Sequence, residues 1–404
     1  MKKTSDSRFF CCPFYWALLS IMIMFPLVIK AQPKRVTIQG LSSLFSNDFL
    51  TKEGAIYVVK SDYNLGGRVI DLPTGVSIEL DGGSIHNGVI NLKSNCKLVG
   101  KGNNKVECKQ LTVNLSGRNV QIDNVSISND NGVAIRSYSN CSNLLITNCR
   151  ISSSADNAIK LVADNIKNVI ENVQIEQCDI IFKRMGVEIQ NHGNNSCRFK
   201  GVIIKGCSFT MLSNPQYGYA ISLSGFGRDA RVENNSINSC LVGIEIVGFS
   251  DVTISKNRMY EISNKAIVTS NLRTMNNVQI CDNRIDSPPS RIQLVNTKGL
   301  TMKNNEMRIL YVELGGSSKA LISNNNISSF GHYAVMIDGT NMESRDNVVT
   351  NNQIEQLGDN WAVFRCYGKK ATKNKIHLNN VKRGKSKGVL YDQINGASKN
   401  ILRK

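Results

Sequence analysis

The sequence predicts an all-β solenoid, a chain wound into stacked coils, and three observations predict it. First, one short phrase recurs eleven times between Val125 and Asn374: VQIDNVSI, LLITNCRI, VQIEQCDI, VIIKGCSF, ARVENNSI, VTISKNRM, VQICDNRI, LTMKNNEM, ALISNNNI, NVVTNNQI and KATKNKI. Its small position falls at Val125, Cys149, Cys178, Cys207, Asn235, Asn257, Asn283, Asn305, Asn325, Asn352 and Asn374. The mean step is (374 − 125)/10, about 25 residues, which lies in the range of solenoid repeats. Second, the apolar members of the phrase, such as Ile122, Val125 and Ile127, are spaced too closely for one helical face, and β-branched side chains dominate them. Third, seven successive phrases carry Asn at the small position. Asn tolerates left-handed backbone angles, and its amide both donates and accepts, so asparagines stacked one strand spacing apart, roughly 4.8 Å, can satisfy one another along the axis.

Taken in order, the chain opens with MKKTSDSRFFCCPFYWALLSIMIMFPLVIKAQ, in which Lys2, Lys3 and Arg8 precede an apolar run from Phe14 to Ile29 and Ala31 stands before Gln32. This reads as a secretory signal over residues 1–31. The run is short for a membrane span and contains Pro26, and no later segment is apolar enough to cross a bilayer, so no transmembrane span is expected once the signal is removed. Residues 32–75 show no repeat and are expected to form an N-terminal cap over the open first rung. The stretch VSIELDGGSIHNGVINLKSNCKLVG, with Gly82, Gly83 and Gly88 at turns, starts the coiled body, expected over 76–380. Residues 381–404 continue a basic cluster that includes Lys369, Lys370, Lys373, Lys375, Lys382 and Arg383, and are expected to close the far end as a solvated cap.

These segments carry a resemblance. The coil phrase, the asparagine ladder and DLPTGVSIELDGGSIHNG resemble the right-handed parallel β-helix proteins of the pectin-lyase-like superfamily, especially exported bacterial members, over about residues 55 to 380. The resemblance implies a single-stranded right-handed parallel β-helix and an export route to the periplasm, the cell surface or the medium. It also implies a polysaccharide-related role, but the superfamily spans lyases, hydrolases, tailspikes and adhesins, so fold alone does not choose among them.

Composition agrees with one elongated globular body: 404 residues, 41% hydrophobic and 20% charged. The formal charge of +18 favours anionic partners, above all uronate-bearing or sulfated polysaccharide. Neither a zinc spacing nor a phosphate-cradling loop nor a nucleotide fingerprint is found, and nucleic acid is not the expected partner. Of twelve cysteines, Cys149, Cys178 and Cys207 fall on one inward ladder position, where parallel side chains suit disulfide geometry poorly, so they read as small buried hydrophobes. A pairing of Cys141 with Cys149, or one involving Cys197, stays open.

Chemistry is expected on a further strand of each coil, aligned from the blocks GVAIRS, NAIKLV, MGVEIQN, YAISLSG, VGIEIVG and KAIVTSN. If Ile135, Ile159, Val187, Ile221, Ile244 and Ile267 point inward, the outward column is Arg136, Lys160, Glu188, Ser222, Glu245 and Val268, followed by Gln293 and Glu313. Glu188 and Glu245 then stand two rungs apart, roughly 9.6 Å, which suits inverting rather than retaining glycoside hydrolysis. For a lyase, Lys160 and Arg136 would supply a base and a cation, with calcium on Glu188, Glu245 or Asp156 as an optional helper. Against both stands the plainer reading that Glu188 is simply ion-paired with Lys160. The catalytic candidates are Glu188, Glu245 and Lys160. Arg136, Ser222, His192, Tyr217, Tyr219 and Arg228 are the substrate-binding candidates, the last four drawn from the longest repeat steps of 28 and 29 residues. Asp130 and Asp156 faintly resemble the paired-aspartate turns of polygalacturonase-like hydrolases, but Asn157 stands where the resemblance would want a second aspartate. The leading expectation is a polysaccharide hydrolase or lyase; the alternative is a non-catalytic glycan-binding, adhesin or tailspike-like protein.

Overall fold

A computed structural model describes residues 33–38, 54–163, 168–191, 199–212, 218–270, 272–359, 361–384 and 387–403. Every regular element among them is a strand, all within the unit Arg35–Lys404, and the strands wind into a parallel right-handed solenoid of about 14 turns. No described helix is long and apolar enough to cross a membrane. The signal expected over residues 1–31 lies outside the described residues.

Each coil has three strand faces rather than the two that the phrase alone shows. On the first face Ile122, Ile146, Ile175, Ile204, Val232, Ile254 and Ile280 stand in one register column. The second face aligns Ile127, Ile151, Ile180, Phe209, Ile237 and Met259 in a 12-stranded sheet. The third aligns Ile135, Ile159, Val187, Ile221, Ile244 and Ile267, all buried, as their alternation with polar neighbours predicts. A coil therefore sends one apolar side chain from each face into a shared column, each contributing roughly 1.5–3 kcal/mol on burial. Faces three and one run together in the continuous strands Tyr219–Glu233 and Val242–Ser255. Where that strand bends, Gly227 lies between Phe199 and Phe249, whose rings stack at 5.8 Å; a Cβ on Gly227 would stand 2.2 Å from the Phe249 ring.

The stack begins inside the segment expected to cap it, since Arg35–Ile38 pairs with Ile56–Val59, which pairs with Ser77–Leu80. It also runs on into the basic tail, where Val389–Ile394 lies along Ala362–Tyr367 and Ile401–Leu402 on Lys375–Ile376.

The corner between faces one and two carries the asparagine ladder. Asn283 Oδ1 accepts from both the backbone N–H and the Nδ2 of Asn257, each at 3.0 Å. Asn283 Nδ2 in turn donates to Ile254 O at 2.9 Å and to Asn305 Oδ1 at 2.9 Å. The same pattern links Asn235, Asn257, Asn283, Asn305, Asn325 and Asn352. Two details differ from the sequence reading. Asn352 is followed by Asn379, not Asn374, which instead continues a second ladder from Asn347. The left-handed residue is not the ladder asparagine but the one before it: Asn124, Asn148, Asn234, Asp282, Asn304 and Asn351 have φ between 53° and 59°. The turn residue and the amide-stacking residue are thus separate positions.

Toward the N-terminal side, thiols fill the ladder slot. Cys207 Sγ donates to Ile175 O at 3.5 Å and Cys178 Sγ to Ile146 O at 3.6 Å, the previous-coil acceptor that Asn235 Nδ2 uses at Ile204 O. Cys141 and Cys149 are both free and buried, which closes the pairing left open for them; Cys197 lies outside the described residues. Burial pushes the Cys141 thiol up to about 12, so it stays protonated and inert.

Two outcomes follow for stability. Asn283→Ala leaves Asn257 N–H and Ile254 O buried without their partners and lowers the unfolding free energy by about 3 kcal/mol, measurable by denaturant titration. Leu378 is 62% exposed and holds φ 55°, where a branched side chain is strained, so Leu378→Asn raises stability by about 1 kcal/mol in the same measurement.

Candidate functional site

The outward column of face three is in register along the stack. Asn114 pairs with Arg136, Arg136 with Lys160, Lys160 with Glu188, Glu188 with Ser222, Ser222 with Glu245, and Glu245 with Val268; Gln293 and Glu313 follow. Strand alternation alone projects these side chains from one surface. Glu188 and Glu245 are separated by the single rung of Ser222, so their backbones stand about 9.6 Å apart.

The two carboxylates have unlike surroundings. Glu188 is 8% exposed; its Oε2 takes Lys160 Nζ at 3.2 Å and Asn157 Nδ2 at 2.5 Å. Both partners are donors, so Glu188 is held as an acceptor, and its Oε1 has no hydrogen-bond partner among the described residues. Among the described residues Glu245 accepts only the Ser222 hydroxyl, at 2.6 Å. Burial raises its carboxyl above the ordinary value, the Ser222 bond and the Lys265 ammonium draw it back, and the charge of Glu188 pushes it up further. Tyr219, at the start of the strand that carries Ser222, is raised by burial and then by the charge of Glu245.

The other expected residues divide. Arg136 lies on the row, but its Nε is engaged with Asn114 Oδ1 at 2.7 Å. Ser222, 2% exposed, is the spacer that holds Glu245. Arg228 is not brought to the row: beyond the irregularity between Ser224 and Gly227 it pairs in register with Lys200 and Ser250 on face one. The strand has turned the corner by then, and Arg228 stands near Asp229 at 4.0 Å. His192 and Tyr217 lie outside the described residues. Asp130 and Asp156 link neighbouring coils, the first accepting from Gln110 and Ser154, the second from Arg184. Among the described residues no group of three or more His, Cys, Asp or Glu side chains converges to hold a metal.

Sequence reasoning missed three things. Asn157, noted only as a departure from an aspartate pair, is the residue that grips Glu188. A second column flanks the carboxylate row, running Met185, Tyr219, Val242, Lys265 and Arg291 in register. Most of it is the first residue of each aligned block, two positions before the inward one. The third is a cavity of about 820 Å³ near the first coils, lined in part by Asp62, Ser84, His86, Lys105 and Glu107. There Ser84 Oγ donates to Asp62 and contacts His86 Nε2 at 2.6 Å, while Lys109 N–H donates to His86 Nδ1 at 3.0 Å. With Nδ1 accepting, the neutral ring carries its proton on Nε2 and cannot take one from Ser84, so the trio is a structural relay and not a nucleophile–base pair.

Comparison with known proteins gives a family match and several likenesses of fold. The family described as "right handed beta helix region" matches residues 55–237 and 171–307. No curated protein matches the chain in sequence. Among solved structures the chain is similar to a surface adhesin of Streptococcus pneumoniae, with 16% identity, 78% of this chain and 83% of that one covered, and a TM-score of 0.45. It is similar to an alginate lyase from Paenibacillus sp. str. FPU-7 at 12% identity over 90% and 99% of the two chains, with a TM-score of 0.37. A mutant tailspike protein of E. coli bacteriophage HK620 in complex with a hexasaccharide matches at 13% identity over 89% and 73%, with a TM-score of 0.46.

The raised Glu245 carboxyl has a consequence for stability. A carboxyl lifted in the folded state contributes fully below its unfolded value, and that contribution is lost as pH rises through the folded one. Glu245→Gln, which removes the half-buried charge, therefore gains melting temperature over the parent at about pH 8, and the gain vanishes at about pH 3, where both states carry a neutral side chain.

Proposed function

Since this chain belongs to the right-handed β-helix family, we propose that its third face is the working surface and that the protein hydrolyses polysaccharide there, with Glu245 as general acid and Glu188 as general base. The observation that carries this reading is the contrast between two carboxylates on one row. Glu245, half-buried and raised, is suited to hold a proton for the leaving glycosidic oxygen. Glu188, gripped through Oε2 by an ammonium and an amide, keeps Oε1 for a water. Their spacing of about 9.6 Å at the backbone leaves room for that water between carboxylate and sugar, as inversion requires. In the step, water attacks the anomeric carbon and gives its proton to Glu188, the glycosidic C–O bond breaks, and the leaving oxygen takes the proton of Glu245. β-Elimination is less well supported, because Lys160 Nζ, its expected base, is already bound to Glu188 at 3.2 Å.

The proposed substrate is an acidic polysaccharide met outside the cytoplasm, for which the formal charge of +18 and the leader-like residues 1–31 speak. A second reading is binding without cleavage. It is favoured by the same Lys160–Glu188 pair, which in an uncatalytic wall would simply close the row.

Incubation with polygalacturonate, alginate and chondroitin sulfate separates these readings. Hydrolysis yields new reducing ends of inverted anomeric configuration by NMR and no unsaturated sugars. Glu245→Gln and Glu188→Gln each lower turnover by about 10²–10⁴ while retention in polysaccharide-containing gels persists. Unchanged turnover in Glu188→Gln removes it as the base, and retention by the parent without any new ends leaves only the binding reading.

A further inference from the structure

Beyond Glu245, face three changes character. Lys265 and Arg291 stand directly opposite each other on neighbouring strands, two like charges that repel at strand spacing. Neither forms an ion pair among the described residues. Their mutual repulsion, after burial, lowers the Lys265 ammonium, and Glu245 and Glu313 only partly oppose it. Arg291 Nη1 donates to the Tyr311 hydroxyl at 3.3 Å, while its Nε is buried without an acceptor. Such a pair of facing cations, one with an unmet donor, is a place where an incoming anion relieves strain.

Next along the stack come aromatic rings. Tyr311 meets Tyr333 edge to face at 4.9 Å, and His332 stacks on Trp361 at 4.5 Å with planes 9° apart. Arg365, held by Asp392 at 2.6 Å, lies 5.5 Å from the Tyr333 ring and 5.1 Å from that of Trp361, and so links the two rings. Trp361 is nevertheless 59% exposed. A large ring braced by a stacked imidazole and a nearby guanidinium, yet still open to water over more than half of its surface, presents a rigid apolar plate at little entropic cost. Arg365 stands five register steps from Glu245, through Val268, Gln293, Glu313 and Met336, or about 24 Å.

We propose that Lys265, Arg291, Tyr311, Tyr333 and Trp361 form a distal subsite for an acidic polysaccharide lying along the solenoid axis, the cations taking its anionic groups and Trp361 stacking on a sugar ring. This rests on the reading of face three as the working surface, and it adds that the substrate is a polymer long enough to span from the carboxylate pair to Trp361. A short oligosaccharide that covers only Glu188 and Glu245 forgoes these contacts.

The test is affinity electrophoresis in gels containing polygalacturonate, heparin or neutral dextran, with cleavage followed in parallel. The parent is retarded by at least one acidic polymer and not by dextran. Trp361→Ala weakens that retardation by about tenfold and Trp361→Phe restores most of it, whereas Lys265→Gln weakens the acidic interaction and flattens its salt dependence. Parent-like retardation of Trp361→Ala, equal retardation by dextran, or no retardation by any acidic polymer overturns the subsite. The two readings fail separately: cleavage that ignores Trp361 sinks the subsite alone, and Trp361-dependent retention with no cleavage sinks the catalytic reading alone.

Discussion

The in-register stacking of coils is the constraint from which everything else in this protein descends. A coil cannot bury its own apolar face; Ile122 is covered because Ile146 lies over it, and Ile146 because Ile175 does. Register must therefore be enforced at every step, and the corner ladder enforces it. Each buried amide binds the backbone and the side chain of the coil before it, so a one-residue slip leaves several polar groups unpaired in an apolar interior. The cysteines show the minimum that the slot demands. A thiol can donate to the previous coil as Asn235 does, but it offers no good acceptor, so Cys149, Cys178 and Cys207 fasten in one direction where the asparagines fasten in two.

Much of the fold was legible because the repeat is a register in itself. Aligning the phrase is equivalent to stacking the coils, and the outward column from Arg136 to Glu245 emerges in the order that alternation predicts. The slip at Asn374 has a simple origin. The chain carries two ladders five residues apart, at Asn347 and Asn352, and the last phrase, KATKNKI, fits the first of them as well as the second. The position of the left-handed residue was hidden for a related reason, since asparagine commonly fills both the turn site and the slot after it, as at Asn234 with Asn235 and Asn304 with Asn305. Where the turn residue is not asparagine, as at Lys256, Asp282 and Leu378, the two roles come apart on inspection.

The candidate site was less legible, because its character depends on neighbours that register alone does not describe. That Glu188 and Glu245 share a row could be read; that one is bound by Asn157 and Lys160 and the other by a hydroxyl could not, because Asn157 reaches Glu188 from outside the aligned column. Arg228 shows the opposite failure. It is only six residues from Ser222, yet the strand irregularity after Ser224 carries it around the corner onto another face. Closeness in sequence is a poor guide to closeness on a wound chain. Distances of one whole coil, from 20 to 34 residues, bring side chains together, whereas distances of half a dozen separate them.

The wound strands of face three also set a fixed graduation along the molecule. Loops between faces can lengthen, as between Val187 and Ile221, without moving Glu188 and Ser222 off neighbouring marks. Separation along the axis can change only by insertion or loss of a complete winding, in increments of about 4.8 Å. Such a scaffold behaves as a ruler with indivisible ticks, and any repeating polymer laid on it is measured against that scale rather than against a shape that drifts continuously with each mutation.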